Sequence, residues 1–264
     1  MYSIEHKKYL KKIKKKNTYI RLTQIAIILV FIIVWQLLSD FGLINSFIFS
    51  SPKKVIECVV NLHIKGNLYN HILITIWETV ISFALGTLIG LLVATIMWWN
   101  NFFAKVIDPY LTVLNSLPKV ALGPIIIIWS GAGINSIVLM ALLISVIVTI
   151  ISVYQGFIST DPIKIKLMKS FKATKSQIYF KLLLPNSLPT IISALKVNIS
   201  MSLIGVIMGE FLVSKEGIGY LIMYGSQVFN LDLVISGIMI LCVVAVLMYY
   251  VILYIEKKLV KSNY

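Results

Sequence analysis

Long apolar runs separated by shorter polar stretches dominate the chain. The runs, rich in Ile, Leu and Val, cover approximately residues 20–38, 71–98, 106–129, 135–156, 186–211 and 232–255. A helix needs about 20 mainly apolar residues to cross about 30 Å of hydrocarbon, and each run comes close to or exceeds that length. The pattern therefore predicts an all-α, polytopic membrane protein of six transmembrane helices.

The third run differs from the others because Pro109, Pro118 and Pro124 interrupt it. Proline removes a backbone donor and disfavours a continuous helix. Irregular backbone at membrane depth is tolerated where other protein or a water-filled cavity surrounds it. The third span is therefore predicted to line a pore.

Composition supports a membrane location. The 264 residues are 59% hydrophobic and 13% charged, and the mean hydropathy is +0.93. An average soluble domain is about 25% charged. The formal net charge of +14 comes mainly from lysines that flank the apolar runs. This arrangement is typical of a protein in contact with a lipid bilayer and argues against a nucleic-acid partner.

The positive charges also predict an orientation, since cytoplasmic segments of membrane proteins carry the excess of Lys and Arg. With the N-terminus inside, the outer segments contain few basic residues, which are Lys53, Lys54, Lys65 and Lys215. Most of the 24 Lys and Arg residues then lie on the inner side. The distribution predicts a multi-pass protein of the cell membrane with both termini in the cytoplasm.

Four segments follow from this topology. Residues 1–19 form a cytoplasmic basic tail, and residues 20–255 form the transmembrane domain. That domain includes a long cytoplasmic loop at 157–185, and residues 256–264 form a second cytoplasmic tail. A loop of this length is more than a simple connection, which indicates a function of its own.

The chain lacks the residue patterns of an enzyme. It has no phosphate-binding G-x-x-x-x-G-K motif and no convergent set of nucleophile, base or metal ligands. His63 and His71 stand eight residues apart without a nearby cysteine or carboxylate at ligand spacing, which gives no metal site. We therefore expect no catalytic residues and no cofactor. A passive channel and a membrane enzyme remain as alternative functions.

The cytoplasmic loop carries a recognisable motif. From Lys169 to Pro185 it reads KSFKATKSQIYFKLLLP. This resembles the coupling loop of binding-protein-dependent ABC importer permeases, whose pattern is E-A-A, three residues, G, nine residues and I-x-L-P. The spacing aligns when Lys172 takes the Gly position and 182–185 the end of the motif. The front half departs from the pattern, because residues 166–168 replace E-A-A.

Other segments resemble the nitrate, sulfonate and taurine type of these permeases. They are Phe83–Gly90, Ser116–Pro124, Trp129–Gly133, Gly209–Leu212 and Glu216–Ile222. Together with the loop, the resemblance extends over approximately residues 50 to 255.

The resemblance implies a type I ABC importer permease fold, a substrate path through the membrane and coupling to a separate ATPase by residues 161–185. It also implies two partners, a cytoplasmic ATP-binding subunit and an extracytoplasmic substrate-binding protein. A second permease subunit completes the path, as a homodimer or with a paralogous chain. The implied substrate is a small organic anion, such as a sulfonate, taurine or nitrate, or a vitamin precursor.

The resemblance and the residue pattern together select candidate functional residues. Those for ATPase coupling are Lys169, Phe171, Lys172, Thr174, Ile178, Leu184 and Pro185. Those for the translocation path or gate are Lys119 and Glu210, for which a structural ion pair and contact with substrate are both open. A basic helix attracted to anionic lipid is the alternative interpretation of the loop.

Two local features of the loop are predicted in detail. Thr174 is expected to cap a second short helix together with Gln177, three residues further on. Lys172, in the Gly position, either adopts a positive backbone φ or forces a different turn.

Overall fold

The protein is helical throughout the part that the computed structural model describes, residues 4–260, and that part contains no strand. In chain order the helices are α1 (Ile4–Asp40), α2 (Ser46–Phe49), α3 (Pro52–Lys65), α4 (Leu68–Trp99), α5 (Asn101–Ser116), α6 (Gly123–Ser130), α7 (Ile134–Ile158), α8 (Pro162–Ser170), α9 (Lys175–Ile178), α10 (Leu184–Val213), α11 (Ile218–Gln227) and α12 (Leu231–Val260). A 3₁₀ turn (Lys119–Leu122) precedes α6, and a π-helical turn (Tyr179–Leu183) joins α9 to α10.

Five segments are long and apolar enough to cross a membrane as single helices. They are Lys11–Asp40, Leu68–Trp99, Ile134–Ile158, Lys175–Val213 and Leu231–Lys258. A sixth span is counted when the bent pair of helices at Asn101–Ser116 and Lys119–Ser130, which meet at 89°, is taken as one. The prediction of an all-α protein with six spans is confirmed in this form.

The predicted interruption of the third span occurs at one of the three prolines. The chain breaks between α5 and the 3₁₀ turn, at Leu117 and Pro118. Pro109 lies inside α5 without ending it, so the prediction was wrong at that position. Pro124 occupies the first turn of α6. A backbone N–H at that position has no acceptor within the helix, so a proline there costs no hydrogen bond.

The centre of the bundle consists of α4, α7 and α10, which approach closely at small residues. A Cβ atom on Gly90 would lie 2.5 Å from Cγ2 of Thr149, and one on Gly205 would lie 2.4 Å from Cα of Ala141. Without a hydrophobic driving force between helices in lipid, such close approach is a main source of packing energy. The G-x-x-x-G spacing of Gly86 and Gly90 is thus used within the subunit.

The two ends of the bundle carry different elements. At one end, α3 packs against the start of α12, where Oγ of Ser50 donates to Oδ1 of Asp232 over 2.6 Å. Helix α3 begins with Pro52 in its first turn and is capped by the side chain of Ser51. We call this the α3 end. The opposite end carries α8 and α9, next to the C-terminus of α4, and we call it the α8 end.

Helix α1 packs little against the rest of the chain. Its contact with α3 includes a hydrogen bond of 3.1 Å from the backbone N–H of Lys53 to Oε1 of Gln36. Most apolar side chains between residues 20 and 38 are exposed, as expected for a span that faces lipid or another subunit. The helix is continuous through the expected tail boundary at residues 19 and 20. The ends of both predicted tails, residues 1–3 and 261–264, lie outside the described residues.

Candidate functional site

Helix α8 is defined by its N-cap. Oδ1 of Asp161 accepts a hydrogen bond of 2.8 Å from the N–H of Ile163, and Pro162 occupies the first turn. An Asp at the cap and Pro at the first helical position are strong start signals because both match the unpaired donors of a helix N-terminus. The helix therefore begins where the Lys-rich loop leaves α7.

Helix α8 ends in a left-handed turn centred on Lys172. The φ of Lys172 is 56°, its N–H donates to the carbonyl of Lys169 over 2.9 Å, and the N–H of Ala173 donates to Met168 over 3.1 Å. These two bonds form a Schellman motif, in which Gly is the usual central residue. Of the two predicted outcomes for Lys172, the positive φ is the one found. A side chain there destabilises the turn by roughly 1 kcal/mol.

Helix α9 begins with the predicted capping box. The N–H of Gln177 donates to Oγ1 of Thr174 over 3.3 Å, and Oε1 of Gln177 accepts from the N–H of Thr174 over 2.8 Å. The predicted cap at Thr174 is confirmed, whereas its part in ATPase coupling stays a prediction. From Lys175 onward the chain stays helical through the π turn and α10 as far as Val213.

The candidate coupling residues divide into an exposed and a buried group. Exposed side chains are those of Lys169, Phe171, Lys172, Thr174 and Pro185. Ile178 is buried and Leu184 is half-buried, so these two stabilise the loop from beneath. Ile163, Leu167 and Phe171 are 73%, 56% and 76% exposed and recur every four residues, which forms an apolar ridge along α8. Ile163 and Leu167 were not among the candidate residues, although their spacing was visible in the sequence.

Lys119 lies just after the break between α5 and α6. Its Nζ donates to the backbone carbonyl of Asn115 over 3.2 Å and to Oδ1 of the same residue over 3.3 Å. Among the side chains that the structure describes, the one ion pair joins Lys196 and Glu256, over 2.8 Å. Lys119 is therefore bound to neutral oxygen atoms of Asn115, in the last turn of α5, on the other side of the break.

Glu210 lies deep in the bundle near the α3 end and is 1% exposed. Its Oε1 accepts a hydrogen bond of 2.6 Å from Oγ1 of Thr75, and its Oε2 accepts one from the N–H of Gly219. Glu78, on α4, is also buried, and its Oε2 has no hydrogen-bond partner among the described side chains. No basic partner of Glu210 occurs among the side chains that the structure describes, which leaves the ion-pair alternative without support.

Three side chains, those of His71, Thr75 and Glu210, bind the N-terminus of α11, whose first backbone N–H groups lack intrahelical acceptors. The N–H of Gly217 donates to Nδ1 of His71 over 3.0 Å, and that of Ile218 donates to Oγ1 of Thr75 over 2.8 Å. Glu210 accepts from the next N–H group, that of Gly219. Side chains of α4 and α10 thus cap α11 from outside.

We call His71, Thr75, Glu78 and Glu210 the outer polar cluster. Sequence reasoning singled out Glu210 but assigned no role to His71 or Thr75. The signal for them was their spacing, since three polar residues at i, i+4 and i+7 share one face of α4. Only the position of α11 explains why that face is polar within an apolar span.

A bundle of apolar helices, one of them broken, with a Lys-rich helical connection at one end has the construction of a membrane transport subunit. Residues 86–261 match the family described as binding-protein-dependent transport system inner membrane component, and the chain belongs to this family. It is a multi-pass permease of an ABC importer and not an enzyme. Such a permease implies an ATP-binding subunit and a substrate-binding protein as partners. The predicted resemblance is confirmed.

Relatives with named transport roles cover most of the chain. A putative aliphatic sulfonates transport permease protein of Bacillus subtilis is 26% identical over 88% of this chain and 84% of its own length. A formylaminopyrimidine transport permease protein of Halalkalibacterium halodurans is 27% identical over 78% of this chain and 81% of its own.

The fold also matches a solved transporter. A structure of the MetNI methionine ABC transporter in an inward facing conformation aligns with a TM-score of 0.64 at 18% identity. The alignment covers 74% of this chain and 95% of that chain. At this identity the likeness defines the fold, and it confirms the predicted type of permease architecture.

Proposed function

We propose that residues 161–185 dock on the separate ATPase subunit and pass its movement into the membrane helices. The observation that carries this proposal is the apolar ridge of Ile163, Leu167 and Phe171. An amphipathic helix with an unpartnered apolar face commonly fits into a groove of another protein, with anchors spaced by about one turn. Phe171, the most exposed of the three, has the size expected of the main anchor.

Charge gives the docking surface its second property. Lys164, Lys166, Lys169, Lys172 and Lys175 are all exposed, whereas Asp161 caps the start of α8. An ATPase groove that accepts this surface needs acidic side chains at its rim, because charge complementarity sets association rate and specificity. A bilayer surface with anionic lipid is the alternative partner of the same ridge.

The experiment is Phe171→Ala in the complex with the ATPase subunit. We expect a loss of complex stability and of substrate-stimulated ATP hydrolysis, because the largest exposed side chain of the ridge no longer fills the groove. Lys164→Gln, which removes one exposed charge of the same surface, is expected to act more weakly and mainly at low salt, where screening is least. Unchanged complex stability and hydrolysis in Phe171→Ala would contradict the assignment. If Phe171→Ala lowered only the binding of the chain to vesicles of anionic lipid, the ridge would be a lipid contact.

We further propose that the α8 end faces the cytoplasm, together with both termini. The support is the excess of Lys on the predicted inner segments, against Lys53, Lys54, Lys65 and Lys215 on the other side. The substrate-binding protein then approaches the α3 end, where α2, α3 and α11 lie.

Lys119 and Glu210 have separate parts in the proposed path. Lys119 is only half-buried, lies at the break of the third span and has no carboxylate partner in the described residues, which suits contact with an anionic substrate. Glu210 is buried beneath α11 and acts on the outer gate by holding that helix. Lys119→Met is expected to lower import of an anionic substrate while assembly with the ATPase is unchanged. Normal import in this variant would remove Lys119 from the path.

We propose that the substrate is either a small organic anion of the sulfonate, taurine or nitrate type, or a vitamin precursor. The transport roles named for the relatives support a sulfonate and such a precursor as the first candidates. A second permease subunit completes the path, and the broad exposed apolar surface of α5 and α6 supports such an interface. The ligand captured by the genetically linked binding protein tests the substrate. Purification of two differently tagged copies tests whether the pair is a homodimer, since a paralogous partner would exclude co-purification.

A further inference from the structure

We call residues 161–185 the docking segment. We propose that two of its residues, Tyr179 and Lys175, attach it to the inner end of α4, so that α4 carries ATP-driven movement across the membrane to the outer polar cluster. This inference rests on the function proposed above. It assigns transmission to a helix that has no chain connection to the docking segment.

The backbone already joins the docking segment to α10. The chain is one helical segment from Lys175 to Val213, so a displacement of α9 passes directly into α10. Helix α4, by contrast, ends at Trp99, 76 residues before Lys175. Any movement that α4 receives from the docking segment must pass through side chains.

Tyr179 makes the first of these contacts. It is the first residue of the π turn, where its carbonyl accepts from the N–H of Leu184, and it is 7% exposed. Its ring centroid lies 5.5 Å from that of Trp98 and 6.0 Å from that of Trp99. Single π-helical turns within a longer helix are frequent at functional sites. Because it is buried, Tyr179 acts inside the permease and is not part of the surface offered to an ATPase.

The hydroxyl of Tyr179 adds a directional bond to α4. Its Oη lies 2.8 Å from Oγ1 of Thr95, and that Thr hydroxyl already points at the carbonyl of Leu91 over 2.7 Å. Since Thr has one hydroxyl proton, Tyr179 is the donor of the bond between them. The bond fixes the last two turns of α4 to the start of the π turn.

Lys175 makes the second contact, one helical turn before Tyr179. Its Nζ donates to the carbonyl of Trp99, at the end of α4. It also lies 5.8 Å from the ring centroids of both Trp98 and Trp99. A cation at a helix C-terminus stabilises the unpaired carbonyls there, and indole rings attract it further. Two contacts one turn apart fix the direction of α4 as well as its position.

The other end of α4 holds the outer polar cluster. His71 and Thr75, near the start of α4, accept hydrogen bonds from the N–H groups of Gly217 and Ile218 at the start of α11. Helix α4 has 32 residues and a length of about 48 Å at 1.5 Å per residue. One rigid helix therefore joins the docking segment to the helix that covers the outer side.

The test measures substrate imported per ATP hydrolysed by the complete complex in proteoliposomes. We expect Tyr179→Phe to lower this ratio about fivefold, the effect of one lost hydrogen bond, while the ATPase stays bound. Thr95→Val removes the same bond from the other side and is expected to give the same loss. Tyr254→Phe, an exposed hydroxyl on α12, is the matched control and is expected to leave the ratio unchanged.

The double variant decides whether the two groups act through one bond. If Tyr179→Phe and Thr95→Val together are no worse than either alone, the link is supported. An unchanged ratio in either single variant, or multiplied losses in the double variant, would overturn it. If the unmodified complex shows no ATP-dependent import, the proposed function fails instead.

A distance measurement tests the attachment itself. Spin labels at Ile96 and Ser176, in a chain with Cys58 and Cys242 replaced by Ser, report on the last turn of α4 and on α9. We expect the same distance with and without ATP in the parent protein, and a nucleotide-dependent change when Tyr179→Phe is added. A parent protein in which the distance already changes with ATP would refute the attachment of α4.

Discussion

The cap that Glu210 provides for α11 leads to a quantitative prediction for Glu210→Gln. The substitution keeps the shape of the side chain and replaces one of its two acceptor oxygens with an amide group. That amide group then faces either Oγ1 of Thr75 or the N–H of Gly219, so one of the two hydrogen bonds is lost. A buried donor left without its partner costs about 1–3 kcal/mol. We therefore expect the attachment of α11 to weaken by about 2 kcal/mol.

Hydrogen exchange of the purified complex in lipid nanodiscs measures this attachment. A change of about 2 kcal/mol corresponds to a local opening roughly 30-fold more frequent, because 1.4 kcal/mol is a factor of ten. The amides of residues 217–221 are expected to exchange faster by that factor. Transport is expected to fall while the complex with the ATPase still assembles, since the change lies far from the α8 end.

Two further variants sharpen the result. Glu216→Gln changes an exposed carboxylate of the same loop, which accepts from Nδ2 of Asn70 over 3.2 Å, and is expected to leave exchange and transport unchanged. Gly219→Ala places a Cβ atom 2.7 Å from Oε2 of Glu210 and is expected to reproduce the defect of Glu210→Gln. If exchange at 217–221 in Glu210→Gln equals that of the parent, Glu210 does not hold α11. Unchanged transport would show that it is no part of the gate.

Two more predictions concern topology and the turn at Lys172. Cysteine labels introduced by Lys175→Cys should react only from the cytoplasm, and labels at Lys215→Cys only from outside; the reverse pattern would overturn both the orientation and the docking assignment. Lys172→Gly should relieve roughly 1 kcal/mol of left-handed strain, offset in part by the greater freedom of Gly in the unfolded loop. Exchange of amides in 162–178 should therefore slow a few-fold, whereas Lys172→Ala, which keeps a Cβ atom, should give no such gain. Equal protection in the two variants would refute the strain at this position.

The sequence by itself determined the class of fold, because hydrocarbon imposes a length and an apolar composition on each span. It also determined the local ends of α8 and α9. The caps formed by Asp161 and by Thr174 with Gln177 depend on residues within three positions of each other. The positive φ of Lys172 was one of two outcomes that the motif spacing allowed, and the backbone bonds of the turn decided between them.

Only the tertiary structure decided what the buried polar residues do. Glu210 binds Thr75 from α4, 135 positions away along the chain, and this partner follows from the packing of α4, α10 and α11. Lys196, which cannot reach Glu210 along one helix, pairs with Glu256 on α12. The contact of Tyr179 with Thr95 likewise depends on how α4 meets the π turn. Periodicity determines which face of a helix is polar, whereas the partner of that face depends on helix packing, which no short-range pattern records.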